Sequence, residues 1–177
     1  MTATSAAGGP ARTVRTTGGV DLEIGTLRPE ERDALYRLFA EIVERGEGFP
    51  QRPPLAEADF ELYWGSGAQF VVVARHRGTV VGAYHVKPNF PGRAGHIANA
   101  GYVVDGALRG KGVGRALVED SMVQARRAGF DAMQFNLVFA SNPARTLYEE
   151  LGFQVVGRVP AAVEGEDALV YWRALGP

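Results

Sequence analysis

The run Arg109-Gly110-Lys111-Gly112-Val113-Gly114 constrains this chain more than any other. It follows a strand-like stretch, Gly101-Tyr102-Val103-Val104-Asp105, and opens a helix-like stretch from Arg115 to Gly129. Alternate glycines beside Arg109, Lys111 and Arg115 make a turn whose amides can approach a polyphosphate, because glycine has no Cβ to hold the ligand off. The positive end of the following helix adds to that attraction.

Two familiar phosphate loops do not fit. A dinucleotide fingerprint needs a further glycine three residues after the second, and that position is Arg115. A P-loop needs Gly-Lys-Ser/Thr after four spacers, and no such run exists. An Arg-x-x-Gly-x-Gly loop between strand and helix remains, with a Gly-rich surface turn as the plain alternative.

The rest of the composition narrows the setting. A chain of 177 residues with 46% hydrophobic content suits one domain with a substantial core. The net charge of −1 gives no basis for a nucleic-acid or membrane partner, so the Arg109/Lys111/Arg115 cluster is a local feature. The absence of cysteine removes disulfides and thiolate chemistry and fits a reducing, cytoplasmic setting. No apolar run approaches the roughly 20 residues of a membrane span. The three histidines lack carboxylates at ligand spacing, so no metal is expected. Residues 1–19 read as a mobile tail without the apolar core of a signal peptide, and residues 20–177 as the domain.

Periodicity orders the elements. Val20–Thr26 alternates as a strand; a helix over Glu30–Arg45 carries Leu35, Leu38, Phe39, Ile42 and Val43 on one face. After a Gly/Pro-rich break at 46–54, Leu55–Trp64 reads as a second helix. Gln69–Arg75 and Thr79–Val86 form a valine-rich hairpin, and Lys87–His96 a loop. Strands at Ile97–Val104 and Ala132–Val138 enclose the loop and its helix. A further helix runs from Asn142 to Leu151, ended by Gly152, before strands at Phe153–Val156 and Ala168–Arg173. The order predicts one mixed α/β sheet of about seven strands flanked by about four helices.

Five pieces in this order carry a resemblance: the hairpin, the strand GYVVD, the loop RGKGVG, the strand MQFNLV and the run SNPARTLYEELGF. Over roughly residues 69–157 they resemble the GCN5-related N-acetyltransferases. The resemblance implies an N-acetyltransferase with acetyl-CoA as cosubstrate, in which an amine attacks the thioester directly. The amides of Arg109, Gly110, Lys111, Gly112, Val113 and Gly114 would hold the pyrophosphate, with Arg109, Lys111 and Arg115 neutralising it. Val103 and Val104 would hold the pantetheine arm through backbone amides, and Tyr148 would protonate the leaving sulfur. Asn142 lies six residues before Tyr148 where seven is usual, which would select Ser141; Ala144 keeps its usual spacing. Asn142 is favoured over Ser141 because an amide both donates and accepts.

The segments KPNFPGRAGHIANAGYVVD and FNLVFASN resemble fungal acetyltransferases that detoxify azetidine-2-carboxylate. This implies an amino acid or toxic analogue as acceptor, with Asn99 and Asn142 as contacts. His96, Phe90 and Tyr84 would line the pocket. His96 and His85 are candidate bases, each with a structural alternative, and Asp105 reads as a turn cap. An antibiotic, a polyamine, a protein N-terminus and a non-catalytic acyl-CoA sensor stay open, as does a homodimer.

Overall fold

The computed structural model describes residues 9–176. Eight strands form one sheet in the order β1-β2-β3-β4-β5-β6-β8-β7, antiparallel everywhere except between β5 and β6. The strands are β1 (Arg12–Arg15), β2 (Asp21–Thr26), β3 (Phe70–His76), β4 (Thr79–Pro88), β5 (Ile97–Val104), β6 (Ala132–Phe139), β7 (Gln154–Val163) and β8 (Glu166–Ala174). The helices are α1 (Arg32–Glu44), α2 (Glu57–Trp64), α3 (Val113–Arg127) and α4 (Arg145–Glu150).

Each face of the sheet buries its own core. Helices α1 and α2 cover one face with Leu35, Phe39, Val43, Phe60 and Trp64 against Val71, Val73, Ala83 and Val103. Helix α3 covers the other with Ala116, Leu117 and Val118 against Val72, Tyr84, Ala98 and Met133. Arg75, only 4% exposed, ties α1 to the sheet by bonding Glu31 and the carbonyl of Thr26. That guanidinium holds the Glu31 carboxyl below its usual range.

Two expectations change. The sheet has eight strands, because residues 12–15 pair with β2 instead of belonging to a tail. Their Arg-Thr-Val-Arg sequence is too short and too charged to announce a strand, and an edge position needs only one bonded neighbour. The expected tail over residues 1–8 lies outside the described residues. Strand β7 also runs well past Val156, and its Val155, Val156 and Val159 stay exposed. Among the described residues no helix is long and apolar enough to cross a membrane, and no group of His, Asp and Glu could hold a metal ion.

Candidate active site

The site begins where the sheet comes apart. Strands β5 and β6 share only two rungs, Ile97↔Ala132 and Ala98↔Met133. At the next position the Asn99 side chain donates to the Gln134 carbonyl at 3.1 Å, standing in for a backbone rung. Beyond it no backbone pairing joins the strands, and the gap opens toward the C-terminal end of β5.

Register decides which backbone groups face that gap. Asp105 N–H donates to Val81 and Asn89 N–H to Ile97, so odd-numbered residues of β5 form the mutually bonded pairs with β4. The N–H of Val103 is therefore spent on β4, and its side chain is buried under α1. The N–H groups of Tyr102 and Val104 point the other way, toward β6. Of the two residues expected to offer amides, register leaves that role open to Val104 and removes it from Val103.

The glycine loop closes the wide end of the gap. Asp105 caps a 3-10 turn over Gly106–Leu108 through Ala107 N–H at 2.9 Å. Gly110 and Gly112 then take positive φ, 70° and 83°, and Gly112 is the N-cap of α3. Arg109 and Lys111 spend their N–H groups inside the turn, on Gly106 and Leu108. Those of Gly110, Gly112, Val113, Gly114 and Arg115 find no protein acceptor among the described residues. Five orphan amides at the start of a 15-residue helix suit a polyanion.

A distant segment braces this loop. Thr16 Oγ1 donates to the Lys111 carbonyl at 2.6 Å and accepts from Val20 N–H at 3.0 Å. A Cβ at Gly112 would stand 2.7 Å from Thr17 Oγ1, so only glycine admits the contact. Arg12 bonds Asp120 of α3 at 2.8 Å, and Tyr84 donates to the same carboxylate at 2.7 Å. Among the expected cations, Arg109 pairs with Glu47, and Arg115 with Glu150 and Glu119. Lys111 makes no ion pair among the described residues. Hydrogen bonding to Arg109 lowers the Glu47 carboxyl below its usual range, and Glu47 raises Arg109 in return.

On the far side of the gap, α4 brings Tyr148 against the rings of Tyr102, Phe135, Phe153 and Tyr171. Burial pushes its phenol upward, so the proton stays on oxygen at neutral pH. Asn142 spends its side-chain oxygen on Ala144 N–H at 2.9 Å, starting α4, and leaves Nδ2 beside Gly48. Ser141 turns outward, its N–H bonded to Glu166. Of the two alternatives, Asn142 is the one beside the α1–α2 connection.

The narrow end is polar and lies mostly outside the expected set. Asn89 and Asn136 exchange amide hydrogen bonds at 3.1 and 2.6 Å, and Gln134 donates to Asn136 at 2.9 Å. With Asn99 they make an amide cluster beside the split. His96 and Phe90 lie exposed on the adjoining loop, His96 Nδ1 3.2 Å from the Arg93 carbonyl. Tyr84 corrects an expectation: fully buried under α3 with its hydroxyl on Asp120, it cannot wall an open pocket. Strand alternation sends Tyr84 to the α3 face and its neighbour His85 to the α1–α2 face. Asn136, inside β6, and Asn89, just past β4, escaped the sequence reading because lone asparagines carry no spacing signal.

Residues 32–153 match the model of the acetyltransferase (GNAT) family. The chain resembles the N-acetyltransferase aca1 of Schizosaccharomyces pombe, at 42% identity over 95 residues covering 52% of this chain and 46% of that protein. Among solved structures, a GCN5-related N-acetyltransferase from Kribbella flavida shares 37% identity, covering 86% of this chain and 97% of that one with a TM-score of 0.80. A GNAT superfamily phosphinothricin acetyltransferase from Sinorhizobium meliloti, solved with AcCoA, has the same fold at 23% identity and a TM-score of 0.76, over 88% and 89% of the two chains. The chain spans less than half the length of the curated relatives it matches. It belongs to the acetyltransferase (GNAT) family. At the level of the family, the enzyme class is that of acetyl-CoA-dependent N-acetyltransferases.

Proposed function

We propose that this chain acetylates the amine of a small molecule, an amino acid or a toxic analogue such as azetidine-2-carboxylate, using acetyl-CoA. One observation carries the reading: a gap between β5 and β6 with orphan amides at its wide end and an amide cluster at its narrow end. The family's cosubstrate is a polyphosphate on a long thin arm ending in a thioester, and the gap matches that division of chemistry.

The roles follow from what each group has free. The N–H groups of Gly110, Gly112, Val113, Gly114 and Arg115 hold the pyrophosphate, and Lys111 adds charge. Arg109 and Arg115 join when they exchange their acidic partners. Val104 N–H, turned into the gap, polarises the thioester carbonyl; an oriented donor of this kind contributes about 3 kcal/mol to the barrier. Asn142 Nδ2 and the Ala144 turn steady the arm. As the nitrogen–carbon bond forms and the carbon–sulfur bond breaks, Tyr148 gives its phenolic proton to the departing sulfur; the nitrogen loses its surplus proton to water, and water reprotonates the phenolate. Asn99 anchors the acceptor, with His96 and Phe90 at the rim. The exposed valines of β7 suit the self-association that a homodimer needs.

Thiol release from acetyl-CoA, screened over azetidine-2-carboxylate, proline, other amino acids, polyamines and aminoglycosides, tests the reading. Turnover confined to polyamines or aminoglycosides would replace the amino-acid assignment, and acetyl-CoA binding without any turnover would favour a sensor. In the same assay Tyr148→Phe should lower kcat about 100-fold with the KM for acetyl-CoA unchanged. An unchanged kcat would remove the acid role.

A further inference from the structure

His85 is an anomaly in an otherwise satisfied core. The imidazole is 1% exposed, and neither ring nitrogen has a hydrogen-bond partner. The ring is held edge-on by Trp64 at 5.1 Å and Tyr63 at 5.5 Å between centroids, and the Trp64 indole N–H is itself buried and unpartnered. Buried polar side chains almost always find partners, so two unpaired side chains in contact mark a place kept for something else. An unpaired buried group costs on the order of 1–3 kcal/mol.

The direction of the ring says where that place is. A Cβ on Gly101 would stand 2.5 Å from His85 Nε2 and 3.3 Å from Phe49 Cε1. Gly101 is thus bare backbone that lets Nε2 reach the surface of β5. It occupies the strand between Asn99, at the split, and Val103, level with the open N–H of Val104. An amine anchored near Asn99 and attacking a thioester near Val104 must cross this stretch. Phe49, on the connection between α1 and α2, covers it.

We infer that His85 is the hydrogen-bond acceptor for the incoming amine: its Nε2, uncovered when Phe49 withdraws, holds the nitrogen of an amino-acid-like acceptor over Gly101. This rests on the proposed acetyl transfer. A neutral imidazole in this position accepts an N–H without repelling the acceptor, and holding the nitrogen fixes where its lone pair points. Trp64 N–H and the Lys87 ammonium, which lies 5.2 Å from the Tyr63 ring, supply the donor and the positive charge that a carboxylate on the same molecule requires. Among the described residues, Lys87 is the charged neighbour acting on His85.

The test compares the full-length chain with His85→Phe and His85→Gln, using azetidine-2-carboxylate as probe. His85→Phe removes unpaired polar atoms, so its melting temperature should be equal or higher. Its affinity for acetyl-CoA should stay within about twofold. Its kcat/KM for the amine should fall about 100-fold, and His85→Gln, which returns an acceptor near Nε2, should recover at least about tenfold of that loss. A kcat/KM within threefold of wild type in a folded His85→Phe variant overturns the assignment. Nitrogen-15 NMR of the histidine-labelled wild-type chain reads the contact without cofactor: a shift of the His85 Nε2 resonance on adding the probe supports it, and no shift overturns it. Failure to bind acetyl-CoA would instead sink the proposed function, and the NMR result would stand apart from it.

Discussion

The two ends of the β5–β6 gap are built on opposite plans. At the glycine loop the functional groups are backbone amides, held in place by three contacts: Thr16 Oγ1 donates to the Lys111 carbonyl, Ala107 N–H donates to the Asp105 carboxylate, and Thr17 packs against Gly112. At the acceptor end the polar groups are side chains, and several are either bonded to one another or unpaired. On the proposed reading a polyphosphate is common to every turnover and meets a cradle of backbone amides that depends on glycine at fixed positions. An acceptor has particular shape and polarity, and on the proposed reading it meets groups that change partners to bind it. Backbone amides are concentrated at the glycine-loop end, and side-chain amides and unpaired ring nitrogens at the other.

Replacing Gly112 breaks the first half of that contrast most directly. Gly112→Ala places a methyl group against Thr17 at a φ of 83° and should weaken acetyl-CoA binding by about 100-fold, roughly 3 kcal/mol, read by calorimetry. The amine side should keep its selectivity among acceptors that are still turned over.

Acid titration probes the second half. Burial first, and Lys87 second, depress His85 from 6.5 to about 3. Between those values the unfolded chain binds a proton that the folded chain refuses, so this group makes stability rise with pH over that window and fall as pH drops through it. The slope should approach roughly 1 kcal/mol per pH unit near pH 5. Denaturant melts of wild type and His85→Phe at pH 7 and pH 5 should show the variant losing less. Equal losses would mean that His85 is reached by water.

Glu47 offers the mildest test, because it spans both ends. It belongs to the connection that carries Phe49, and it holds Arg109 of the glycine loop. The pair is partly exposed and contributes little, about 0.2–1 kcal/mol. Glu47→Gln should therefore tighten acetyl-CoA binding only about twofold to fivefold and steepen its salt dependence. A weakened affinity would show that the pair positions Arg109 for phosphate instead of competing with it.

The same contrast explains what the chain disclosed before its structure was known. Strand β5 was legible over its full length, and the glycine loop was legible because amide cradles demand glycine at fixed spacing. Hydrophobic alternation likewise marked the β3–β4 hairpin, and a five-residue apolar stripe marked α1. What stayed hidden depended on pairing between distant segments. Register alone separates Val104 from Val103, and strand parity alone sends Tyr84 and His85 to opposite faces. Asn136 becomes a neighbour of Asn89 only after β6 lines up beside β5. Strand β1 was lost because a charged four-residue edge has no alternation to show.

The Thr16–Lys111 hydrogen bond joins residues 95 positions apart, and Arg12–Asp120 joins residues 108 apart. Contacts that close loops this long are entropically expensive and form late on a folding route. The glycine turn and α3 can form locally, yet the cradle is finished only when β1 and the turn after it come to rest beside it. Acquisition of acetyl-CoA affinity during refolding is thus a clock for the last long-range closure, running behind the helical signal.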